Sequence, residues 1–128
     1  MFDELRTFLL EDATIAGIVE ERVYPNILPQ PATLPALTFA QVSGVRVRDL
    51  SGPTGRARPR VTVNSWASTY SAVRALADAV RRRLDGYAGP LTTVVIGSSA
   101  LDNEFDIYEQ DLKIHRVMQD YIISHTED

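Results

Sequence analysis

The spacing of apolar side chains in the first twenty residues predicts two short helices. The apolar positions of the first segment recur at helical spacing and fall at Phe2, Leu5, Phe8 and Leu9. A helix over residues 2–11 places all of them on one face. Asp12 is a suitable N-cap for a second helical segment, ATIAGIV, because its carboxylate can accept hydrogen bonds from the first free N–H groups.

A proline-rich segment separates these helices from a predicted pair of strands. Its prolines are Pro25, Pro29, Pro31 and Pro35, a density that excludes a helix and favours an extended crossing. The segment ALTFAQVSGVRVR alternates as a strand does, with Leu37, Phe39, Val45 and Val47 sharing one parity. Gly44 marks a bend in it, and residues 60–66 alternate as its partner. Residues 49–59, which contain Gly52, Pro53, Gly55 and Pro59, are predicted to be the loop at the tip of this hairpin.

The second half of the chain predicts a long helix followed by two strands. Residues 69–85 carry an apolar stripe formed by Val73, Leu76, Ala77, Val80 and Leu84. Ser68 or Thr69 can cap this helix, and Gly86 follows its end. After a Gly89–Pro90 turn, LTTVVIG is a short strand, and residues 102–111 are an acidic connection. The last strand covers residues 114–124, with Val117, Tyr121 and Ile123 on one face.

This order of elements predicts the fold class. The order is helix, strand, strand, helix, strand, strand, which favours an α+β domain: an antiparallel sheet of about four strands with two main helices on one face. Residues 1–128 are expected to form a single domain, since the length and an apolar content of 45% support one core.

Composition excludes several functional classes. The chain has no cysteine, so disulfides and thiolate zinc sites are impossible. No apolar run reaches the roughly 18 residues that span a bilayer, and the acids near the N-terminus argue against an export signal. A formal net charge of −4 argues against a general nucleic-acid binder.

Charge is concentrated in two blocks of opposite sign. The basic block consists of Arg46, Arg48, Arg56, Arg58 and Arg60, and the acidic block of Asp102, Glu104, Asp106, Glu109 and Asp111. The sequence GPTGRARPR lacks the spacing and the lysine of a phosphate-binding loop. It also lacks the interleaved aromatic residues of a single-strand DNA-binding arm. A protein-docking arm is the favoured interpretation, with direct DNA contact and a simple solvated tip as the alternatives.

No catalytic or metal-binding arrangement emerges from the remaining polar residues. Asp102, Glu104 and Asp106 match the first ligand positions of a calcium-binding loop, but Ile107 occupies the position that requires glycine. His115 and His125 lack evident partners, and the serines of GSSA lack a nucleophile pattern. The sequence predicts a protein that is not an enzyme and has no cofactor and no metal.

The order of these segments resembles the phage tail-completion, or tail-terminator, proteins of long-tailed phages, the group that includes the lambda tail protein U. The resemblance spans nearly the whole chain. Its marks are ERVYPNILPQPATLPALTFAQVSG, then LSGPTGRARPRVTVNSWASTYSAVRALADAVRRRLDG, and finally YEQDLKIHRVMQDYII. These motifs are architectural rather than catalytic.

The resemblance implies a structural virion protein at the head-proximal end of the tail, assembled in the host cytoplasm. Such a protein caps the tail tube, stops its polymerisation and presents a joining surface to the head-side connector, usually as a ring of six. DNA passes through the ring without sequence-specific binding, and no membrane is involved. Another neck or head–tail connector protein, or an unrelated small binding module, remains the alternative.

The two charge blocks are the candidate contact sites of this role. The basic segment is expected to dock on the tail tube or on a neighbouring subunit, with Leu50 as its anchor. Its basic residues are Arg46, Arg48, Arg56, Arg58 and Arg60. The acidic segment is expected to lie between subunits, since opposite charges on one chain suit head-to-tail contacts.

Overall fold

The computed structural model describes most of the chain. The described stretches are residues 2–30, 33–43, 46–49, 52–57, 60–91 and 94–126. The helices within them are α1 (Phe2–Leu10), α2 (Ala13–Val19) and α3 (Tyr70–Leu84). The strands are β1 (Val23–Pro25), β2 (Ala36–Ser43), β3 (Arg46–Asp49), β4 (Gly52–Ala57), β5 (Arg60–Ala67), β6 (Gly89–Leu91), β7 (Val94–Glu109) and β8 (Ile114–Thr126).

The predicted helices form where the sequence places them, and their ends show why. Asp12 caps α2, its carboxylate accepting hydrogen bonds from the N–H groups two and three residues on, at 2.9 and 3.2 Å. The Thr69 hydroxyl oxygen accepts one from the Ala72 N–H at 3.2 Å. Gly86 follows α3 with a φ of 82°, a left-handed conformation that glycine adopts without steric cost.

The predicted antiparallel sheet lies at the centre of the fold. β2 pairs with β5, β5 with β8, and β8 with β7, all antiparallel. Further strands extend it to eight among the described residues: β1 lies parallel to β2 at one edge, β6 pairs with the start of β7, and β3 and β4 form an additional hairpin. The α+β class is confirmed, with more strands than the sequence predicts.

The loop predicted for residues 49–59 is wrong over its described part. β3 and β4 form a hairpin, and β4 also pairs with the far end of β8, Arg56 opposite Thr126 and Ala57 opposite His125. The glycines and prolines of this segment are typical of loops, but pairing with a strand distant in sequence overrides that local preference. Leu50 and Arg58 lie outside the described residues.

The acidic connection predicted for residues 102–111 is also wrong. Residues 102–109 belong to β7, which runs beside β8 along most of its length, with β-bulges near Gly97 and Asp102. The Gly89–Pro90 turn is likewise wrong, because both residues lie in β6. Strands of this composition are unusual, since aspartate and glutamate are depleted in sheets, and their stability here depends on arginines of other elements.

The core lies between the helices and one face of the sheet. Each helix contributes fully or nearly fully buried side chains, such as Leu9, Ile15 and Leu76, which pack on Val63 and Ile123 of the central strands. The predicted stripe of α3 is confirmed, because all of its members are buried. The Arg83 guanidinium closes the layer by stacking 3.9 Å from the Phe8 ring and donating to the Phe8 carbonyl.

Candidate functional site

Side chains of opposite charge meet at several places in this fold. The two charged segments both pair with β8. The β3–β4 unit, hereafter the arginine hairpin (described residues 46–49 and 52–57), joins the C-terminal end of β8. The acidic part of β7, hereafter the acidic strand (residues 102–109), lies beside the N-terminal half of β8. The structure therefore separates the arginine hairpin from the acidic strand along β8.

The arginines of the basic block divide between two elements. Arg46 and Arg48 belong to β3 and Arg56 to β4, so the fold brings these three positions together on the arginine hairpin. Arg60 instead starts β5 and donates to the Asp102 carboxylate at 2.7 Å, with Asp120 3.9 Å away. From the sequence, the basic and acidic blocks are expected to meet between subunits. Arg60 and Asp102 instead pair within one chain.

Arg74, which no sequence pattern singles out, forms ion pairs with the middle of the acidic strand. Its guanidinium lies 3.0 Å from carboxylate oxygens of Glu104 and Asp106, and also 3.0 Å from Asp78 one turn along α3. Burial alone lowers the pKa of Arg74, but hydrogen bonds to Asp78 and Glu104 outweigh it and raise the pKa above its usual value. Arg74 remains charged and joins α3 to β7.

A buried polar contact fixes the same junction from beneath. The fully buried Gln119 side chain donates from Nε2 to the Ala77 carbonyl at 3.1 Å and to Glu104 at 2.7 Å. The Tyr121 hydroxyl donates to Gln119 Oε1 at 3.3 Å. Burial, aided by the negative charges of Asp85 and Glu104, raises the pKa of Tyr121 well above its ordinary value. Buried polar groups with partners fix one register of helix on sheet.

The last two acids lie near the β7–β8 turn. Glu109 pairs with Arg116 at 3.0 Å, and the Arg116 guanidinium stacks 5.2 Å from the Trp66 ring on the sheet face away from the helices. Asp111 is exposed in the turn itself. Asp102, Glu104, Asp106 and Glu109 therefore all have arginine partners within the chain.

A cavity of about 210 Å³ opens beside this turn, between the start of α3 and the hairpin of β7 and β8. We call it the tyrosine pocket: Tyr70, Val73, Asp106, Tyr108 and His115 line it. The His115 ring lies between the two tyrosines, 6.0 Å from Tyr70 and 4.8 Å from Tyr108 between centroids. The Tyr70 hydroxyl donates to the free side of the Asp106 carboxylate at 3.1 Å.

Sequence reasoning misses this pocket because its residues are distant in sequence. The predicted last strand, residues 114–124, includes His115, but nothing in the pattern places Tyr70 next to it. One feature of the sequence could have indicated the pocket: Tyr70 and Tyr108 are large aromatic residues that lie outside the apolar stripes predicted for the core.

Other kinds of site receive no support from the described residues. Where the structure describes the chain, no three histidine or carboxylate side chains converge as metal ligands. The calcium-like spacing of Asp102, Glu104 and Asp106 falls on a strand whose carboxylates are held by Arg60 and Arg74. None of the described helices is both long and apolar enough to cross a membrane.

Comparison with known proteins agrees with this architecture. Among solved structures, a chain from the virion of a native gene transfer agent (GTA) particle superimposes with a TM-score of 0.76 at 16% sequence identity. The match covers 98% of this chain and 90% of that chain, and at this identity it demonstrates a shared fold. A search of curated proteins finds no match.

The family comparison is more specific. The model of the family described as tail completion protein gp17 matches residues 3–126, from the start of α1 to the end of β8. The matched range includes the arginine hairpin, the acidic strand and the tyrosine pocket. The chain therefore belongs to the tail completion protein gp17 family and is a structural protein of the phage tail.

Proposed function

We propose that this protein caps the phage tail tube, stops its polymerisation and forms the surface that joins the tail to the head-side connector. The observation that carries the proposal is the family match over residues 3–126, which covers every element of the fold. The protein acts as one domain, residues 1–128, in a ring of six at the head-proximal end of the tail. It assembles there in the host cytoplasm.

The arginine hairpin is the proposed docking element. It carries Arg46, Arg48 and Arg56, with Leu50 and Arg58 in the same segment, and Arg60 at the base is already paired with Asp102. Arginine suits a protein interface because its planar guanidinium pairs with carboxylates and stacks on aromatic rings. Such contacts weaken as salt rises, because the Debye length is only about 8 Å at physiological ionic strength.

The acidic strand is the proposed complementary surface between subunits. Its carboxylates already have arginine partners, so its role in assembly depends on their remaining exposed area and on residual negative charge. Exposed ion pairs contribute only about 0–1 kcal/mol each, and several must act together to hold a ring.

The role requires no chemical reaction. We infer that the protein is not an enzyme and needs no cofactor, and that DNA crosses the ring without sequence-specific contacts. An arginine-lined channel would retard DNA through phosphate contacts, which favours placing the arginine hairpin against protein rather than against DNA.

Assembly of tail tubes in the presence of the purified protein tests this function. Tube protein alone is expected to grow into tubes of unlimited length. Adding this chain is expected to arrest growth, with gold-labelled protein at one end of each tube in electron micrographs. Label bound only to the connector, with tube growth unaffected, would identify a neck or connector protein instead, and binding to neither would leave only an unrelated binding module.

A further inference from the structure

We propose that the tyrosine pocket receives an arginine side chain from the arginine hairpin of a second copy of this chain. The proposal rests on the subunit contacts proposed above and gives them a location and a chemistry. The ligand of the pocket is then a guanidinium group, and it comes from the arginine hairpin of the second copy.

Two of the large apolar side chains that stay exposed among the described residues line the pocket. They are Tyr70 and Tyr108, which are 49% and 48% exposed. Where the structure describes side chains, the large apolar ones that remain exposed are Ile27, Tyr70, Phe105, Tyr108 and Leu112. Four of them lie at the start of α3, on the acidic strand or in the β7–β8 turn, and only Ile27 lies elsewhere. Clustered exposed aromatic residues are typical of protein–protein contacts.

The chemistry of the walls favours a guanidinium over an apolar side chain. Tyr70, Tyr108 and His115 contribute three aromatic rings to the lining, and a planar cation stacks favourably on such rings. Asp106 adds a carboxylate to the lining of the same pocket, and its side chain is 49% exposed. An aliphatic side chain would use the rings and leave the carboxylate without a new partner.

The local charge also favours a cation. Arg74 is shared by Asp78, Glu104 and Asp106, and Arg81 reaches Asp78 at 3.6 Å. Three carboxylates therefore face two guanidinium groups, so the cluster behind the pocket retains negative charge. Arg116, which also borders the pocket, directs its guanidinium to Glu109 and Trp66.

The arginine hairpin of the same molecule cannot fill the pocket. The hairpin joins β8 at His125 and Thr126, whereas the pocket lies at His115. Ten residues of strand at about 3.3 Å each separate them by roughly 30 Å, several times the length of an arginine side chain. An occupant from this hairpin must come from another copy, and a contact between two different surfaces generates rings or filaments.

Site-specific crosslinking tests the contact, since the chain has no cysteine. Thr54→Cys marks the arginine hairpin without removing an arginine, and Ser71→Cys marks the pocket rim next to Tyr70. A mixture of these two variants, treated with a short bismaleimide, is expected to give a mixed crosslinked dimer. Ile27→Cys, 76% exposed and near the opposite edge of the sheet, is the control partner and is expected to give none.

The dependence on the pocket residues completes the test. Tyr108→Ala, or Asp106→Asn, added to the Ser71→Cys chain is expected to reduce crosslinking roughly tenfold, the scale of a lost cation–π contact. An unchanged melting temperature confirms that each variant is folded. If Tyr108→Ala does not fold, Asp106→Asn provides the test instead. Two results would overturn the inference. One is a yield of crosslinked dimer with Ile27→Cys equal to that with Ser71→Cys, and the other is a yield that neither pocket substitution changes.

The result separates this inference from the proposed function. If crosslinking fails while the wild-type protein still arrests tail tubes, the pocket assignment is wrong and capping stands. If crosslinking succeeds while tubes grow unchecked, the arginine contact stands and capping is wrong.

Discussion

The two ends of β8 pair with segments of opposite charge, and the two segments are attached to the domain in different ways. At the N-terminal end, the acidic strand pairs with β8 throughout residues 103–109, and its carboxylates contact arginines of α3, β5 and β8. At the C-terminal end, over the residues that the structure describes, the backbone of the arginine hairpin pairs with β8 at Thr126 and His125. A block of charge in a sequence can therefore be part of the domain's own framework or an appended element, and the composition alone does not distinguish them.

The difference bears on function because weakly attached elements are the ones that can rearrange on binding. The acidic end depends on α3 for its position through Arg74 and Gln119. Loss of those contacts should disturb the domain, whereas changes in the arginine hairpin should disturb only assembly.

The largest expected effect on stability comes from the core under α3. Leu76 is fully buried, so Leu76→Ala loses transfer free energy and leaves a cavity, at a cost of about 2–5 kcal/mol in the free energy of unfolding. Leu112→Ala is the matched control, because Leu112 is 50% exposed and should change it by less than about 1 kcal/mol. Urea titration measures both, and similar values would mean that this face of α3 is not in the core.

Removing Arg74 should have the next largest effect and should act on the acidic end alone. Arg74→Met leaves Asp78, Glu104 and Asp106 with mutual repulsion, which we expect to destabilise the fold by about 1–2 kcal/mol after allowance for partial exposure. Arg82→Met, on an exposed position of the same helix, should cost less than about 0.5 kcal/mol. Chemical denaturation compares them, and equal stability would show that the acidic strand does not depend on its arginine.

A smaller effect is expected at alkaline pH. Burial raises the pKa of Tyr121, so the neutral phenol stabilises the fold fully below its unfolded pKa of about 10. This contribution is lost as pH rises toward the folded value. Tyr121→Phe should therefore reduce the loss of stability above about pH 10 by up to about 1.4 kcal/mol per pH unit. Urea titration at several pH values measures this slope, and a slope in Tyr121→Phe equal to that of wild type would contradict the account.

The sequence predicts the central fold well because its signals are local and periodic. The caps at Asp12 and Thr69, the stripe of α3 and the alternation of β5 and β8 all follow from side chains close in sequence. The predictions for residues 49–59 and 102–111 are wrong because there the backbone follows partners distant in sequence. Arg56 opposite Thr126 and Glu104 beside Arg74 are contacts that no local pattern contains.

The candidate site follows the same rule. The two charge blocks can be read from the sequence, and so can the family. Sequence reasoning does not find that Arg60 pairs with Asp102, or that Tyr70 and Tyr108 flank His115, because these contacts exist only after the sheet and α3 have packed.

The central claim is that the arginine hairpin serves assembly and not the stability of the domain. The direct test is the double variant Arg56→Ala/Arg58→Ala, compared with wild type for melting temperature and for the yield of particles with complete tails. If these arginines serve assembly alone, the melting temperature stays within about 2 °C of wild type and the yield of complete particles falls markedly. A normal yield of complete particles from the double variant would contradict the claim, and so would a large fall in melting temperature.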